Sequence, residues 1–197
     1  MATLRFDWES LYGELKACTK CRLCQTRSSI VVSDGDPHAD IMFIGEGPGR
    51  EEDEQGVPFV GAAGRLFNRH LEEAGLDRSR IYICNVVKCR PPNNRDPLPD
   101  EADACLPYLR AQIALVRPHV IVCLGRIAAK YVYDREIQIS RQRGSVKKVG
   151  AFLIIPTYHP AALLRKPELT NDFVYDLLTA KKLAAKLKAG EPIEIRI

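Results

Sequence analysis

Hydrophobic positions in this chain form four short, continuous runs rich in β-branched residues, at residues 40–45, 80–87, 119–125 and 151–157. Because successive positions are apolar, each run is typical of a parallel strand covered on both faces. Between and after these runs lie segments in which apolar residues recur at helical spacing. They predict helices at residues 64–74, 100–116, 127–133 and 171–187.

This order of elements predicts an α/β fold: a three-layer sandwich with a central, mostly parallel four-stranded sheet flanked by helices. We expect residues 1–197 to form a single domain, because a chain of this length buries about 70% of its unfolded surface without disulfides. Ligands of such sheets bind beyond the carboxyl ends of the strands. The loops that follow the four strands are therefore where chemistry is expected.

Composition places the chain among ordinary soluble globular proteins, with 46% hydrophobic and 27% charged residues. The longest uncharged apolar stretch, residues 151–164, is interrupted by two prolines and a histidine, and it is shorter than the ~18 residues of a membrane span. Three charged residues lie within the first ten positions, where a signal peptide needs an apolar run. We therefore expect no membrane association and a cytoplasmic location.

The net charge of +4 permits a polyanionic partner without requiring one. Basic residues are concentrated between positions 125 and 148, where they exceed acidic residues by five. They are Arg126, Lys130, Arg135, Arg141, Arg143, Lys147 and Lys148. This basic strip is either a phosphate-facing surface or an ordinary solvated helix and loop.

The seven cysteines are an odd number without an export signal, which argues against a disulfide framework. Cys84 and Cys123 fall inside predicted strands and are expected to be small buried hydrophobes.

Five further cysteines lie outside the strands: Cys18, Cys21, Cys24, Cys89 and Cys105. A CxxC pair combined with two distant cysteines favours an iron–sulfur site over a structural zinc, although a set that binds no metal stays possible from spacing alone. Cys24 could replace Cys21 as a ligand or be a bystander.

Three segments next to the predicted strands carry longer motifs. They read GEGPGREEDEQGVPFVGAAGRLF from residue 45, IYICNVVKCRPP from residue 81 and YHPAALLR from residue 158. The first is neither a dinucleotide fingerprint nor a phosphate loop, since no Gly-Lys-Ser/Thr follows. Together the three closely resemble the motifs of family 4 of the uracil-DNA glycosylase superfamily, the iron–sulfur type, over about residues 10–188.

The resemblance implies an enzyme that flips uracil out of DNA and hydrolyses its N-glycosidic bond, leaving an abasic site for base excision repair. Glu46 and Gly47 then frame the uracil and the attacking water, and Phe59 stacks on the flipped base. Asn85 reads the uracil edge, and His159 faces the leaving base. Glu46, Asn85 and His159 are the candidate catalytic residues.

The same resemblance implies a [4Fe-4S] cluster held by Cys18, Cys21, Cys89 and Cys105, which would tie the N-terminal segment 1–30 to the rest of the domain. The best-known uracil glycosylases carry Asp and Tyr where this chain has Gly47 and Gly49. The general base is therefore open among Glu46, Glu52 and Asp53. Covalent trapping of DNA is not expected, because the loop RPPNNRDPLPDE lacks the arginine-rich insertion of cross-linking relatives.

The residue types suit this chemistry independently of the family. An Asn amide accepts from uracil N3–H and donates to O4, whereas cytosine presents the reverse pattern, and mismatched polar sites can reject a substrate by roughly 10⁴-fold. Negative charge accumulates on the leaving base and positive charge on the sugar, so the His159 donor and the Glu46 carboxylate match the two halves. The simpler interpretations are a satisfied loop histidine for His159, a strand-end turn for Asn85 and a core aromatic for Phe59.

The partner implied is uracil-containing DNA, single- or double-stranded, bound by a monomer. Leu163, Leu164 and Arg165 are the candidate DNA contacts, with a leucine wedged into the opened base stack. We expect at least one leucine to pack under the loop instead. The acidic residues 46–54 oppose phosphate binding, and we expect several to cap a helix or order the pocket. The alternatives are a non-catalytic metal-stabilised nucleic-acid-binding module and an iron–sulfur electron carrier.

Overall fold

The computed structural model describes residues 7–193. Six strands are present: β1 (Asp34–Gly35), β2 (Ile41–Gly45), β3 (Tyr82–Asn85), β4 (Val120–Leu124), β5 (Lys147–Val149) and β6 (Phe152–Thr157). The α-helices are α1 (Trp8–Lys16), α2 (Arg50–Gln55), α3 (Ala62–Glu73), α4 (Pro99–Val116), α5 (Gly125–Val132), α6 (Ile139–Gln142), α7 (Pro160–Arg165) and α8 (Thr170–Lys188). Among these residues, no helix is both long and apolar enough to cross a bilayer.

All strands belong to one sheet of order β1-β3-β2-β4-β6-β5. The four predicted strands are its centre, and β3, β2, β4 and β6 pair in parallel. The prediction of four strands is wrong in number, because a short antiparallel strand is added at each edge. β1 has two residues and β5 is exposed throughout, so neither has the apolar run that marked the others.

The sheet is covered on both faces, because neighbouring residues of each central strand point to opposite sides. In β2, Met42 and Ile44 belong to a core that includes residues of α4 and α5. Ile41 and Phe43 belong to the other core, formed with α3, α7 and α8. The predicted three layers are therefore confirmed, and both strand faces are dry, as continuous apolar runs require.

The first helix packs in a third small core with α4, and its Trp8 ring also lies 5.7 Å from the Tyr82 ring of β3, centroid to centroid. Leu11 and Leu15 of α1 contact Tyr108 of α4 there. The Asp7 carboxylate accepts from the Ser10 N–H at 2.8 Å and caps the start of α1. α1 was not predicted, nor were the short helices α2, α6 and α7, whereas α3, α4, α5 and α8 were predicted to within about two residues.

Candidate active site

A cleft of about 650 Å³ opens at the carboxyl ends of the parallel strands. The loops after β2, β3 and β6 line it, and they are three of those in which the sequence placed the chemistry. Glu46, Gly47, Phe59, Asn85 and His159, the five residues predicted to contact the base, all lie in its wall. Residues from distant parts of the chain thus meet because their strands are neighbours.

Asn85 is the last residue of β3 and is only 2% exposed. Its Oδ1 is buried and accepts no hydrogen bond from the described residues. An unsatisfied buried amide oxygen costs roughly 1–3 kcal/mol, so a structural turn residue would be paired. The oxygen instead lies in the wall of the cleft, where a ligand N–H could satisfy it.

His159 is the N-cap of α7, directly after β6. Its Nδ1 accepts a hydrogen bond from the Ala161 N–H at 3.1 Å. Since Nδ1 is an acceptor, a neutral ring carries its proton on Nε2. Burial, followed by the nearby Arg165 guanidinium, lowers the pKa of His159 to about 4. At neutral pH the residue is therefore an uncharged Nε2–H donor.

Phe59 packs beside His159, with ring centroids 5.8 Å apart. Its φ of 55° lies in the left-handed region, which a bulky residue seldom adopts. Arg78 holds this loop by donating to the Pro58 carbonyl at 2.6 Å and the Phe59 carbonyl at 3.3 Å. The surrounding structure therefore fixes an unfavourable backbone so that the ring lies in the wall of the cleft.

Two glycines allow the groups that line the cleft to pack closely. A Cβ at Gly45 would overlap both Asn85 Oδ1 and the Phe59 ring. Gly125 has a φ of +89°, and a Cβ there would lie 2.7 Å from the His159 Cβ. Side chains at these positions would displace the groups on either side of the cleft.

Glu46 follows β2 and lines the same cleft as Asp96. Burial raises the pKa of Glu46 to about 7, the Asp96 carboxylate acts in the same direction, and Arg126 opposes both. Arg126 also forms an ion pair with Asp96. Glu46 is thus a carboxyl group that changes its charge near neutral pH.

The neighbouring acidic residues have structural partners, as expected for this acidic segment. Glu52 accepts from the backbone N–H groups of Gly49, Val60 and Gly61, at 3.1, 3.0 and 2.8 Å. Asp53 is buried and accepts from the Ser28 N–H at 3.0 Å. Both carboxylates are occupied as acceptors, so Glu46 is the remaining candidate among the three proposed general bases.

The two leucines of α7 differ in how far their side chains are exposed to solvent. Leu163 is 2% exposed and packs in the core with α3 and α8, so its assignment as a DNA contact is wrong. Leu164 is 50% exposed, and Arg165 lines the cleft. The expectation that one leucine packs under the loop is confirmed, and Leu164 is the remaining candidate wedge.

The basic strip is only partly available to phosphates. Arg143 forms ion pairs with Asp172 and the buried Asp176, which makes it a structural residue. Lys147 donates to the Tyr133 carbonyl at 3.2 Å.

A separate small cavity is lined by Cys18, Cys21, Cys24, Cys89 and Cys105. All are free thiols, and Cys84 and Cys123 are buried as expected. Within residues 7–193, no three His, Cys, Asp or Glu side chains have the geometry of a single-ion site.

The surroundings of this cysteine cavity suit sulfur that carries negative charge. Arg27 donates to Cys89 Sγ at 3.1 Å. The backbone N–H of Leu23 faces Cys21, and that of Lys88 faces Cys105. Burial nevertheless raises the pKa of Cys105 to about 11, so neutral thiols are favoured unless a cation binds. Donors directed at thiols from distant segments fit a thiolate-ligated metal group.

Ion pairs join this region to the cleft. Arg22 donates to Asp100 at 2.9 Å, and Arg95 makes two bonds to Glu101 at 2.8 and 2.7 Å. Arg95 itself lines the cleft. The N-terminal segment and the loop before α4 are thereby held against each other.

Sequence reasoning missed two residues that shape the cleft: Asp96, which was passed over as part of a loop, and Arg78, which lies in a short helical turn after α3. Glu52 was expected as a candidate base or as one of the acidic residues that order the pocket, and its contacts fit the second role. The charged residue Asp96 directly after a motif-bearing loop was an available signal. Nothing local in the sequence marks Arg78, because its partners lie 10 to 44 residues away: the Pro58 and Phe59 carbonyls and the side chains of Asp34 and Asn68.

Comparison with known proteins identifies the family to which this chain belongs. The family model of the uracil DNA glycosylase superfamily matches residues 32–180. A type-4 uracil-DNA glycosylase from Archaeoglobus fulgidus is 44% identical over 186 residues, covering 90% of this chain and 94% of the relative. The Thermotoga maritima type-4 enzyme is 46% identical, covering 90% and 95%.

A type-5 uracil-DNA glycosylase from Pyrobaculum aerophilum is more distant, at 26% identity over 82% of this chain and 85% of the relative. The family model spans all six strands and the residues that line the cleft, from Glu46 to Arg165. This chain therefore belongs to the uracil DNA glycosylase superfamily.

Proposed function

We propose that this protein is a uracil-DNA glycosylase, a hydrolase that removes uracil from DNA and leaves an abasic site for base excision repair. One observation carries the proposal: the unpaired Oδ1 of Asn85 lies in the same cleft as the Nε2–H donor of His159 and the Phe59 ring. Type-4 relatives that bear this activity in their names support it.

Recognition depends on the flipped base entering the cleft. Phe59 stacks on the uracil ring, while Asn85 Oδ1 accepts from N3–H and its amide group donates to O4. Cytosine would leave both polar groups of Asn85 unpaired, which is the basis of its rejection. Gly47 lets its loop pack against the segment after β3, because a Cβ there would lie 2.7 Å from Val87 Cγ2.

Cleavage breaks the bond between sugar C1′ and uracil N1. The electron pair goes to N1, His159 donates from Nε2 toward uracil O2 as charge accumulates there, and the Glu46 carboxylate stabilises the positive sugar. Water adds hydroxide to C1′ and its proton neutralises the uracil anion. The ring stays neutral before the reaction because its pKa is about 4.

Activity should rise with pH around neutrality. The raised pKa of about 7 keeps Glu46 protonated in acid, so the stabilising carboxylate forms only as pH increases through 7. We expect single-turnover rates to increase between about pH 6 and 8 and the Glu46→Gln rate to be low and flat. A Glu46→Gln protein that keeps the wild-type inflection would show that another group titrates.

We further propose that Cys18, Cys21, Cys89 and Cys105 hold a [4Fe-4S] cluster. When bound, the cluster supplies a covalent cross-link between the N-terminal segment 1–30 and the loop after β3, within a single domain. The charged donors around the cavity support this assignment.

Iron content distinguishes the ligands. Cys89→Ser should lower the iron in anaerobically purified protein and the brown colour with it, because Cys89 connects the cavity to the loop after β3. Cys24→Ser is the matched control and should leave iron unchanged. One zinc and no iron in the wild-type protein would contradict the cluster.

DNA contacts are proposed for Leu164 and Arg165, on a monomer that binds uracil-containing DNA. Leu164→Ala should weaken cleavage of double-stranded DNA more than of single-stranded DNA, where no base stack is opened. Leu178→Ala removes another exposed leucine, on α8, and serves as control. Equal losses on both substrates would exclude the wedge.

The activity itself is tested with a labelled single-stranded oligonucleotide that contains one uracil. Incubation followed by alkali should cleave the strand at the uracil and release free uracil, while a thymine oligonucleotide stays intact. A nucleic-acid-binding module or an electron carrier would give no strand scission.

A further inference from the structure

Lys88 is a buried lysine in the loop that joins β3 to the cysteine cavity. It is 1% exposed, and its Nζ donates to the backbone carbonyl of Asn85 at 2.6 Å. Lys88 is also one of the residues that line the cysteine cavity. One residue therefore contacts the backbone of the amide proposed to read the base and forms part of the wall of the proposed cluster site.

The charge of Lys88 has no carboxylate partner among residues 7–193. A buried ammonium is costly unless it is paired and hydrogen-bonded. Burial raises the pKa of both Cys105 and Cys84, and the positive charge of Lys88 opposes this effect in each. The Asn85 carbonyl, at 2.6 Å, is the hydrogen-bond acceptor of the buried ammonium.

The backbone of Lys88 is fixed as well. Its N–H faces the Cys105 sulfur, and its carbonyl accepts from the Val31 N–H at 2.8 Å. The residue is thus attached to α4, to the N-terminal segment and to the end of β3. A displacement of the cavity wall would be transmitted to the Asn85 carbonyl.

We propose that Lys88 is a positioning residue that couples the cysteine cavity to base recognition: its backbone is fixed in the region of the cavity wall, and its ammonium holds the backbone carbonyl of Asn85. This role rests on the proposed function and on the proposed cluster. It gives the cluster a second consequence besides cross-linking, since a fixed cavity wall keeps in place the lysine that orients the amide.

The test replaces Lys88 with an apolar residue of similar length. We expect Lys88→Met to keep its iron but to lose about tenfold in affinity for free uracil, measured by calorimetry. Its kcat/KM should fall by about 10- to 100-fold, as a misplacement of about 1 Å can produce. The reduction potential of its cluster should become more negative, because a neighbouring positive charge is removed.

Lys20→Met is the matched control. Lys20 lines the same cavity but is exposed and lies over the Tyr108 ring, 4.4 Å from its centroid. We expect unchanged uracil affinity in this variant. Lys88→Arg retains a cation, so it should keep wild-type potential and uracil affinity within about threefold.

Full iron with unchanged uracil affinity in Lys88→Met would overturn the coupling. If Lys88→Met does not fold, Lys88→Arg decides: retained uracil affinity supports the role of the cation, and loss of that affinity in an iron-loaded protein contradicts it. Failure of the proposed function is distinguishable, because the wild-type protein itself would then bind no iron or release no uracil.

Discussion

His159→Ala should lower single-turnover cleavage of uracil-DNA by roughly 10²- to 10³-fold, the usual cost of removing one donor from a site of developing negative charge. The ring is oriented by the Ala161 N–H on its Nδ1, so the Nε2–H is already directed before the base arrives. Such a donor gains most in the transition state and contributes little to ground-state binding. The measurement is a rapid-quench time course with enzyme in excess.

Affinity for uracil-containing DNA and iron content should change little in this variant, because phosphate contacts supply most of the binding. His119→Ala is the control. His119 lies beside Asp40 directly before β4, at the amino ends of the parallel strands, whereas the cleft is at their carboxyl ends. A loss of less than about tenfold in a folded, iron-loaded His159→Ala protein would place the stabilising donor elsewhere.

Asn85→Asp should reduce cleavage of uracil by about 10²-fold or more and relax the choice of base. At this buried position the carboxyl group is held protonated, so it can donate to cytosine N3 while its other oxygen accepts from N4. Sites built to match hydrogen bonds discriminate by up to roughly 10⁴-fold, which sets the scale of the loss. Oligonucleotides with one uracil or one cytosine, assayed in parallel, measure both effects.

The exposed Asn171 at the start of α8 provides the control, since Asn171→Asp alters the same amide without reaching the cleft. Unchanged uracil cleavage by Asn85→Asp would remove Asn85 from the base pocket and restore the strand-end turn as its explanation.

The centre of the fold was readable from the sequence because burial on both faces forces continuous apolar runs. β2, β3, β4 and β6 carry that signature. The edge strand β5 does not, since its three residues are exposed and are held only by pairing with β6. Short helices such as α7 were also not predicted, because six residues span too few turns to show the 3.6-residue period of apolar positions.

The site was predictable to the extent that its residues lie in motifs next to strands. Asn85 and His159 were identified in this way, and the structure brings them to one cleft. Leu163 was misassigned because two adjacent leucines give no sign of which one faces the core. Arg78 and Lys88 were missed as positioning residues, since their partners include backbone carbonyls 20 and 3 residues away, and no sequence pattern marks such contacts.

The parallel order of the strands also governs when the site can exist. Asn85 ends β3 and His159 follows β6, and the two strands lie on opposite sides of β2 and β4 in the sheet. During synthesis on the ribosome, N-terminal segments emerge first, so β6 is the last of the four parallel strands to become available. A nascent chain therefore carries Asn85, the amide proposed to read the base, well before His159, the donor proposed to assist cleavage. Fragments that end before β6 would be unable to create abasic sites in the genome.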